Sequence, residues 1–254
     1  MAVSMSSSVA LGSPTTTAAA QEDPTTAALN KISPALGKAH GRVQSQLQSD
    51  STSLSQLGKY KATVADLASA AQALSQLGSG TGSAADQAKV VERFVTAYNQ
   101  AITASRPGTS SEASSTLASS RRALTNASAD TSRSQLAKLG LSRQADGTLK
   151  LDTAALNKAL TAGASTGTAA TGGTGLSTLA QLGKAIGKRA DNELASSSRL
   201  ATATSLFSGK TTQLKQQQTR LLEAATQMSS QANTSTGTNT SNWSTQQALR
   251  KYSV

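Results

Sequence analysis

The sequence predicts a mainly α protein: an elongated antiparallel coiled-coil stalk built from N- and C-terminal helices, with a small α+β head containing one β-hairpin. Three observations predict it. Apolar residues recur at helical spacing over two long stretches of the chain. Apolar residues make up 37 % of the sequence but aromatic residues only 2 %, so any core rests on Ala, Leu and Val and suits thin helix packing. An Asp-Gly step, Asp146-Gly147, stands between two short runs of partial alternation, which is the strongest short-range hairpin signal.

Residues 1–28 form a polar Ser/Thr/Ala segment expected to be disordered. It lacks the basic start and apolar stretch of a cleaved signal peptide. If the chain leaves the cell, it does so by another route.

Residues 29–79 are expected to form the N-terminal stalk helix. Leu36, Val43, Leu47, Leu54, Leu57, Val64, Leu67, Leu74 and Leu77 fall mainly three, four and seven residues apart and share one side of a helix. Pro34 fits near the helix start. Gly41 and Gly58 each weaken it by about 1 kcal/mol relative to Ala, and GSGTG at 78–82 ends it. His40, beside Gly41, is expected to be an exposed polar residue.

Residues 84–162 make the expected head. Val91, Phe94, Val95, Tyr98 and Ile102 lie on one helical face, and Pro107-Gly108 stops that helix. A Ser/Ala-rich middle helix follows at 112–127. The hairpin is placed at 139–151 with a type I′ turn, in which both Asp146 and Gly147 take positive φ. Asp152 is the expected N-cap of a helix at 152–161 carrying Leu156 and Leu160. The residues expected to pack the head are Phe94, Tyr98, Leu139, Leu149, Leu151 and Leu156, with Phe94 and Tyr98 anchoring it to the stalk.

Residues 163–175 read as a low-complexity linker. The C-terminal stalk helix is placed at 176–230, where Ile186, Glu193, Leu200, Phe207, Leu214, Leu221 and Met228 recur every seven residues. Small or polar residues, among them Thr204, Thr211 and Gln218, hold the alternate seam positions. Such a seam is weak alone and gains from assembly. The expected coiled-coil and oligomer contacts are Leu47, Leu54, Val64, Leu74, Ile186, Leu200, Phe207, Leu214, Leu221 and Met228; pairing within the chain and between copies both fit. Residues 231–254 read as a flexible tail, with a short docking element around Trp243 and Tyr252 as the alternative.

Composition argues against chemistry. There is no Cys and a single His, so thiolate and multi-histidine metal sites are not expected. No catalytic residue, cofactor, metal or small-molecule substrate is predicted. Gly172, Gly173 and Gly175 stand without the lysine of a phosphate-binding loop. The net charge is +11, and residues 176–254 carry nine basic against three acidic side chains. Lys184, Lys188, Arg189, Arg199, Lys210, Lys215 and Arg220 could follow a phosphate backbone. They are diluted by Ser, Thr and Gln with no interleaved aromatics, so a solvated helix surface is the expected reading. No stretch reaches the roughly 20 apolar residues of a membrane span.

Two motifs, in order, resemble one family. VVERFVTAYNQAI (90–102) resembles the "FV-AYN" helix of the flagellar filament-cap family (hook-associated protein 2, FliD), and LAKLGLSRQADGTLKLDTAALNKAL (136–160) is similar to that family's "dG.L.lD" hairpin. The resemblance covers residues 29–230. It implies a structural, non-enzymatic subunit, exported by the flagellar type III apparatus with a chaperone and located outside the cell on the flagellum. It further implies homo-oligomerisation in a ring and partners among flagellin and the hook–filament junction proteins. The family's large inserted β-rich domains are missing, since only residues 78–88 separate the two helices here, so the chain reads as a short version. Two other classes remain open: a secreted adhesin or effector on a flagellar axial scaffold, and a basic nucleic-acid binder.

Overall fold

The computed structural model describes residues 23–79, 82–106, 111–129, 131–165 and 172–236. These are mostly helical, with one two-stranded antiparallel sheet among the described residues, so the mainly α class with a hairpin holds. Residues 237–254 of the expected flexible tail, with the alternative docking element around Trp243 and Tyr252, and residues 1–22 of the expected disordered N-terminus lie outside the described residues. The chain divides into two compact units: one from Met1–Val43 with Gln218–Val254, the other Gln44–Gln217.

The first unit contains α1 (Pro24–Ile32), the start of α2 (Pro34–Gln76) and the end of α8 (Arg199–Thr236). Asp23 caps α1 by accepting from the Thr26 N–H at 3.1 Å, with Pro24 in the first turn. Thr25, Thr26 and Leu29 are buried, so residues 24–28 are ordered helix, contrary to the expectation of disorder. The cap and the burial of Leu29 supply what composition alone did not reveal. Ser33 is extended, with φ −155° and ψ 119°, because the ring of Pro34 disfavours helical backbone in the residue before it. The single helix expected from residue 29 is therefore two helices. α8 remains helical to Thr236, past the expected end at 230.

The larger unit carries the main core. α2 contributes Leu57, Tyr60, Val64, Leu67, Ala71 and Leu74, all essentially without solvent exposure. Packed with them are Val91, Phe94, Tyr98 and Ile102 of α3 (Ala84–Ala104), then Leu117 and Leu124 of α4 (Ser111–Ala129). Leu136 of α5 (Arg133–Lys138), Leu156 of α6 (Thr153–Ser165), and Leu179, Leu182 and Ile186 of α7 (Gly172–Leu194) complete it. Fully burying one such leucine stabilises by about 1.5–3 kcal/mol. α3 starts where Ser83 Oγ accepts from the Asp86 N–H; α6 starts at the expected cap, where Asp152 Oδ1 accepts from the Ala155 N–H at 3.0 Å.

The expected linker at 163–175 is helix at both ends, since α6 runs to Ser165 and α7 begins at Gly172, while 166–171 lie outside the described residues. The apolar face of α7 docks on neighbouring helices, and this burial outweighs the poor helix propensity of its glycines. Gly183 has a positive use there. A Cβ on it would sit 2.7 Å from both the Ala71 carbonyl oxygen and the Ser75 nitrogen, so only glycine lets α7 approach the α2 backbone this closely.

The C-terminal helix expected over 176–230 is also interrupted. α7 ends at Leu194 and α8 begins at Arg199. Ser198 caps α8, its Oγ accepting from the Ala201 N–H at 3.1 Å. A Ser-Ser-Ser run competes for backbone hydrogen bonds and offers nothing to pack, so the heptad spacing continues through a non-helical turn between Glu193 and Leu200.

Candidate interaction surfaces

The hairpin belongs to the larger unit, whose single core takes in both the residues expected to form a separate head and the α2 residues expected in the stalk. β1 (Leu141–Arg143) pairs antiparallel with β2 (Leu149–Leu151), with Leu141 opposite Leu151 and Arg143 opposite Leu149. The turn differs from the expected type I′. Gly147 has φ 88°, and no described non-glycine residue has positive φ. Asp146 prefers an Asx turn: its Oδ1 accepts from the Thr148 N–H at 3.0 Å and the Thr148 hydroxyl at 2.6 Å. Its other oxygen pairs with Arg106 at 2.7 Å. The Thr148 bonds, then the Arg106 guanidinium, hold the Asp146 carboxyl below the usual carboxylate range.

Asn99 joins the α3 motif to the hairpin motif. Its Nδ2 donates to the Leu149 carbonyl and its Oδ1 accepts from the Leu149 N–H, both at 2.8 Å. One side-chain amide thus stands in for a third strand along β2, satisfying both polar groups of an edge residue. Phe94 and Tyr98 lie beneath, ring centroids 6.1 Å apart and tilted by 33°. The Tyr98 hydroxyl donates to Ser128 Oγ at 3.2 Å, and burial pushes its pKa up. Leu139, Leu149 and Leu156 are buried in the same core as α2, and half-buried Leu151 packs against it. Asn99 was legible only as one letter of a motif, because nothing local announces a contact 50 residues away.

A second polar cluster lies inside the larger unit. Ser120 Oγ donates to Glu193 Oε2 at 2.7 Å, and Arg189 donates to Glu193 Oε1 at 2.6 Å. Glu193 is buried, and a carboxylate inside a core is tolerable only with such partners. Tyr60 is nearby, its hydroxyl buried without a hydrogen-bond partner. Burial, then the Glu193 charge, drives that phenol's pKa well above its ordinary value. The position expected as a coiled-coil seam residue is thus the centre of a buried polar network between α4 and α7.

The residues expected at the seam fall into two groups. Val64, Leu74, Ile186, Leu200 and Phe207 are buried in the chain's own core, leaving none of their surface for a second copy. Leu47, Leu54, Leu214 and Leu221 are half-buried, and Met228 is 46 % exposed. Along α8 the inward stripe reads Leu200, Phe207, Leu214, Leu221, then Ala225 and Ser229. A helix of 3.6 residues per turn drifts about 20° per heptad against a seven-residue repeat. Over the four heptads from Leu200 to Met228 that is about 80°, nearly one residue. Ser229 therefore takes the buried place and Met228 turns outward. Leu206, which the heptad placed off the seam, is 53 % exposed.

In the first unit, His40 is 1 % exposed, contrary to the expectation of an exposed residue. Its Nδ1 lies 2.9 Å from Thr26 Oγ1 and its Nε2 lies 3.2 Å from Gln218 Nε2. One arrangement satisfies the chain of groups: Gln218 donates to Nε2, Nδ1–H donates to Thr26, and the Thr26 hydroxyl donates to Asp23 Oδ2 at 3.3 Å. That arrangement requires a neutral ring. Burial lowers the His40 pKa, and the Asp23 carboxylate, 3.9 Å away, opposes the shift.

Among the described residues no group of three His, Asp or Glu could hold a metal ion, and no helix is long and apolar enough to cross a membrane. In comparison with known proteins, the chain matches no family model, no curated protein and no solved structure.

Proposed function

We propose that this chain is a structural subunit of the flagellar filament-cap type, which assembles with copies of itself and supports flagellin assembly at the filament tip. The observation that carries the reading is the Asn99–Leu149 contact. It ties the FVTAYN helix to the GTLKLD hairpin, the two segments on which the resemblance rests. Separate motifs that meet face to face behave as one module rather than as two chance strings.

Helix length supports a stalk. α2 has 43 residues and α8 has 38, so each extends about 60 Å. In this proposal the two pair as an antiparallel coiled coil. Leu206 and Met228, the exposed large apolar side chains on α8, together with half-buried Leu214 and Leu221, meet neighbouring subunits in a ring. The chain travels unfolded through the type III export apparatus with a chaperone, and gains order as neighbours cover its apolar surface.

Deletion of the gene followed by electron microscopy of filaments tests this. Short or absent filaments with monomeric flagellin in the medium are expected. Normal filaments without leaked flagellin overturn it, and a purified monomer that binds host cells without joining filaments points to the adhesin reading instead. In the purified chain, Leu206→Glu with Met228→Glu should abolish oligomers in sedimentation while leaving helical circular dichroism intact.

A further inference from the structure

A cleft of about 730 Å³ lies among α4, α5 and the hairpin. Arg121 and Arg122 line it from α4, Arg133 from α5 and Arg143 from β1. We propose that this cleft binds a compact soluble ligand carrying two or more phosphoryl groups, held by charge-assisted hydrogen bonds from the four arginine side chains. The proposal is independent of whether the chain assembles at a filament tip.

Charge is the first argument. Among the described residues none of the four arginines is in an ion pair. The one carboxylate lining the cleft is that of Asp146, and it is already held by Arg106 from α3. A guanidinium does not lose its proton in a protein, so the cleft concentrates positive charge that no described side chain neutralises. Part of the site is fixed before any ligand arrives. Arg143 donates to the carbonyls of Ser128 and Thr131, and a donor already held in place loses less freedom on binding. Ser142, which also lines the cleft, accepts from Gln144 Nε2 at 3.3 Å. Its hydroxyl proton is left to donate to an anion.

The lining selects among anions. No aromatic residue contributes to it, and its one large apolar side chain, Leu141, is 1 % exposed. Neither a base nor an acyl chain therefore finds a surface to rest on, and the ligand is recognised by charge. The donors come from three elements and do not share one helix face. A phosphoryl group offers three strong acceptor oxygens about a tetrahedral centre, where a carboxylate offers two in a plane. Each phosphoryl group carries a charge of about −1.5 to −2 at neutral pH, so two of them balance four guanidiniums. Pockets for small ligands span about 300–1,000 Å³, a range that includes this cleft.

The test titrates inorganic tripolyphosphate into the full chain by calorimetry, without divalent cations. Binding should saturate at one site, weaken with added salt, and fall at least about tenfold in Arg122→Glu with Arg133→Glu. Both side chains are exposed, so helical circular dichroism should not change. The same charge reversal at Lys158→Glu with Lys184→Glu, exposed and outside the cleft, should leave the affinity within about twofold. Amide resonances of Ser142 and Gln144 should shift on saturation. Absence of tripolyphosphate binding, or equal weakening by the arginine and lysine pairs, overturns the proposal. Equally tight binding of citrate overturns the preference for phosphoryl groups. Tighter binding, through the same arginines, of a single-stranded oligonucleotide or of phosphatidylcholine vesicles containing phosphatidic acid overturns the assignment to a compact soluble ligand.

Discussion

The two compact units use the same long helices yet cohere by different chemistry. In the larger unit, α2 buries Leu57, Val64, Leu67 and Leu74 against Phe94, Tyr98 and the leucines of five other helices. Among the described residues of the smaller one, the same helix buries His40, and the fully buried apolar residues are Leu29 and Ala225, with Ile32, Leu36 and Leu222 packed against them. Among the described residues one unit has a large apolar core, while the other sets a small apolar cluster beside a file of hydrogen bonds from Gln218 to Asp23. Continuous helix does not imply uniform stability, because cohesion follows what each turn buries rather than the helix itself.

Truncating the larger unit's core should have the greatest effect. Phe94→Ala removes a fully buried ring and should lower stability by about 3–5 kcal/mol, measured by denaturant unfolding followed by circular dichroism. A loss under about 1 kcal/mol would mean that this unit is not held by its apolar core.

Asn99→Ala comes next. It leaves the Leu149 N–H and C=O without their partners, for a loss of about 2–3 kcal/mol and faster amide exchange at Leu149. Asn99→Asp keeps the acceptor for the N–H and loses the donor to the carbonyl, so it should fall between. If Asn99→Ala exchanges like the parent at Leu149, the side chain does not complete the sheet.

The smaller unit should be the pH-sensitive one. His40 has a folded-state pKa below the ordinary 6.5, so the unfolded chain binds the extra proton first on acidification. The contribution of the neutral ring is fully present above pH 6.5 and is lost as the pH falls through the lowered folded value. A protonated ring would direct Nε2–H at the Gln218 amide donor, and the nearby Asp23 charge softens the effect without reversing it. Hydrogen exchange of residues 24–40 and 218–230, compared between pH 7.5 and 5, should show loss of protection there and not around Phe94. His40→Gln should flatten that difference. Equal loss in both units would remove the distinction between them.

Met228→Ala should have the smallest effect, within about 0.5 kcal/mol, because the side chain is largely exposed. A loss of 2 kcal/mol or more, typical of a buried methionine, would show that the strict heptad packs after all and that α8 does not drift.

Much of the architecture was legible before any coordinates. The apolar spacing located α2, α3 and α8, Asp146-Gly147 located the hairpin, and Asp152 marked a helix start where it occurs. The misreadings share a cause. Ser33-Pro34 and the serines at 196–198 were overrun by a periodicity that continues across them, since a spacing rule counts residues without asking whether the backbone between them stays helical. The glycines of 172–175 read as linker because their propensity is poor, whereas α7 is helical through what its later turns bury. His40 read as exposed because its partners, Thr26 and Gln218, lie far from it in sequence.

What the sequence by itself determined is the helical class, the hairpin and most of the core. These depend on interactions between residues near one another along the chain, where a repeat of three, four or seven is enough to expose them. The tertiary structure alone decided which seam residues are hidden, which edge of the hairpin is closed and which polar groups are buried. Those outcomes depend on pairs tens of residues apart, and on a twist of 3.6 residues per turn that carries a seven-residue pattern slowly around the helix.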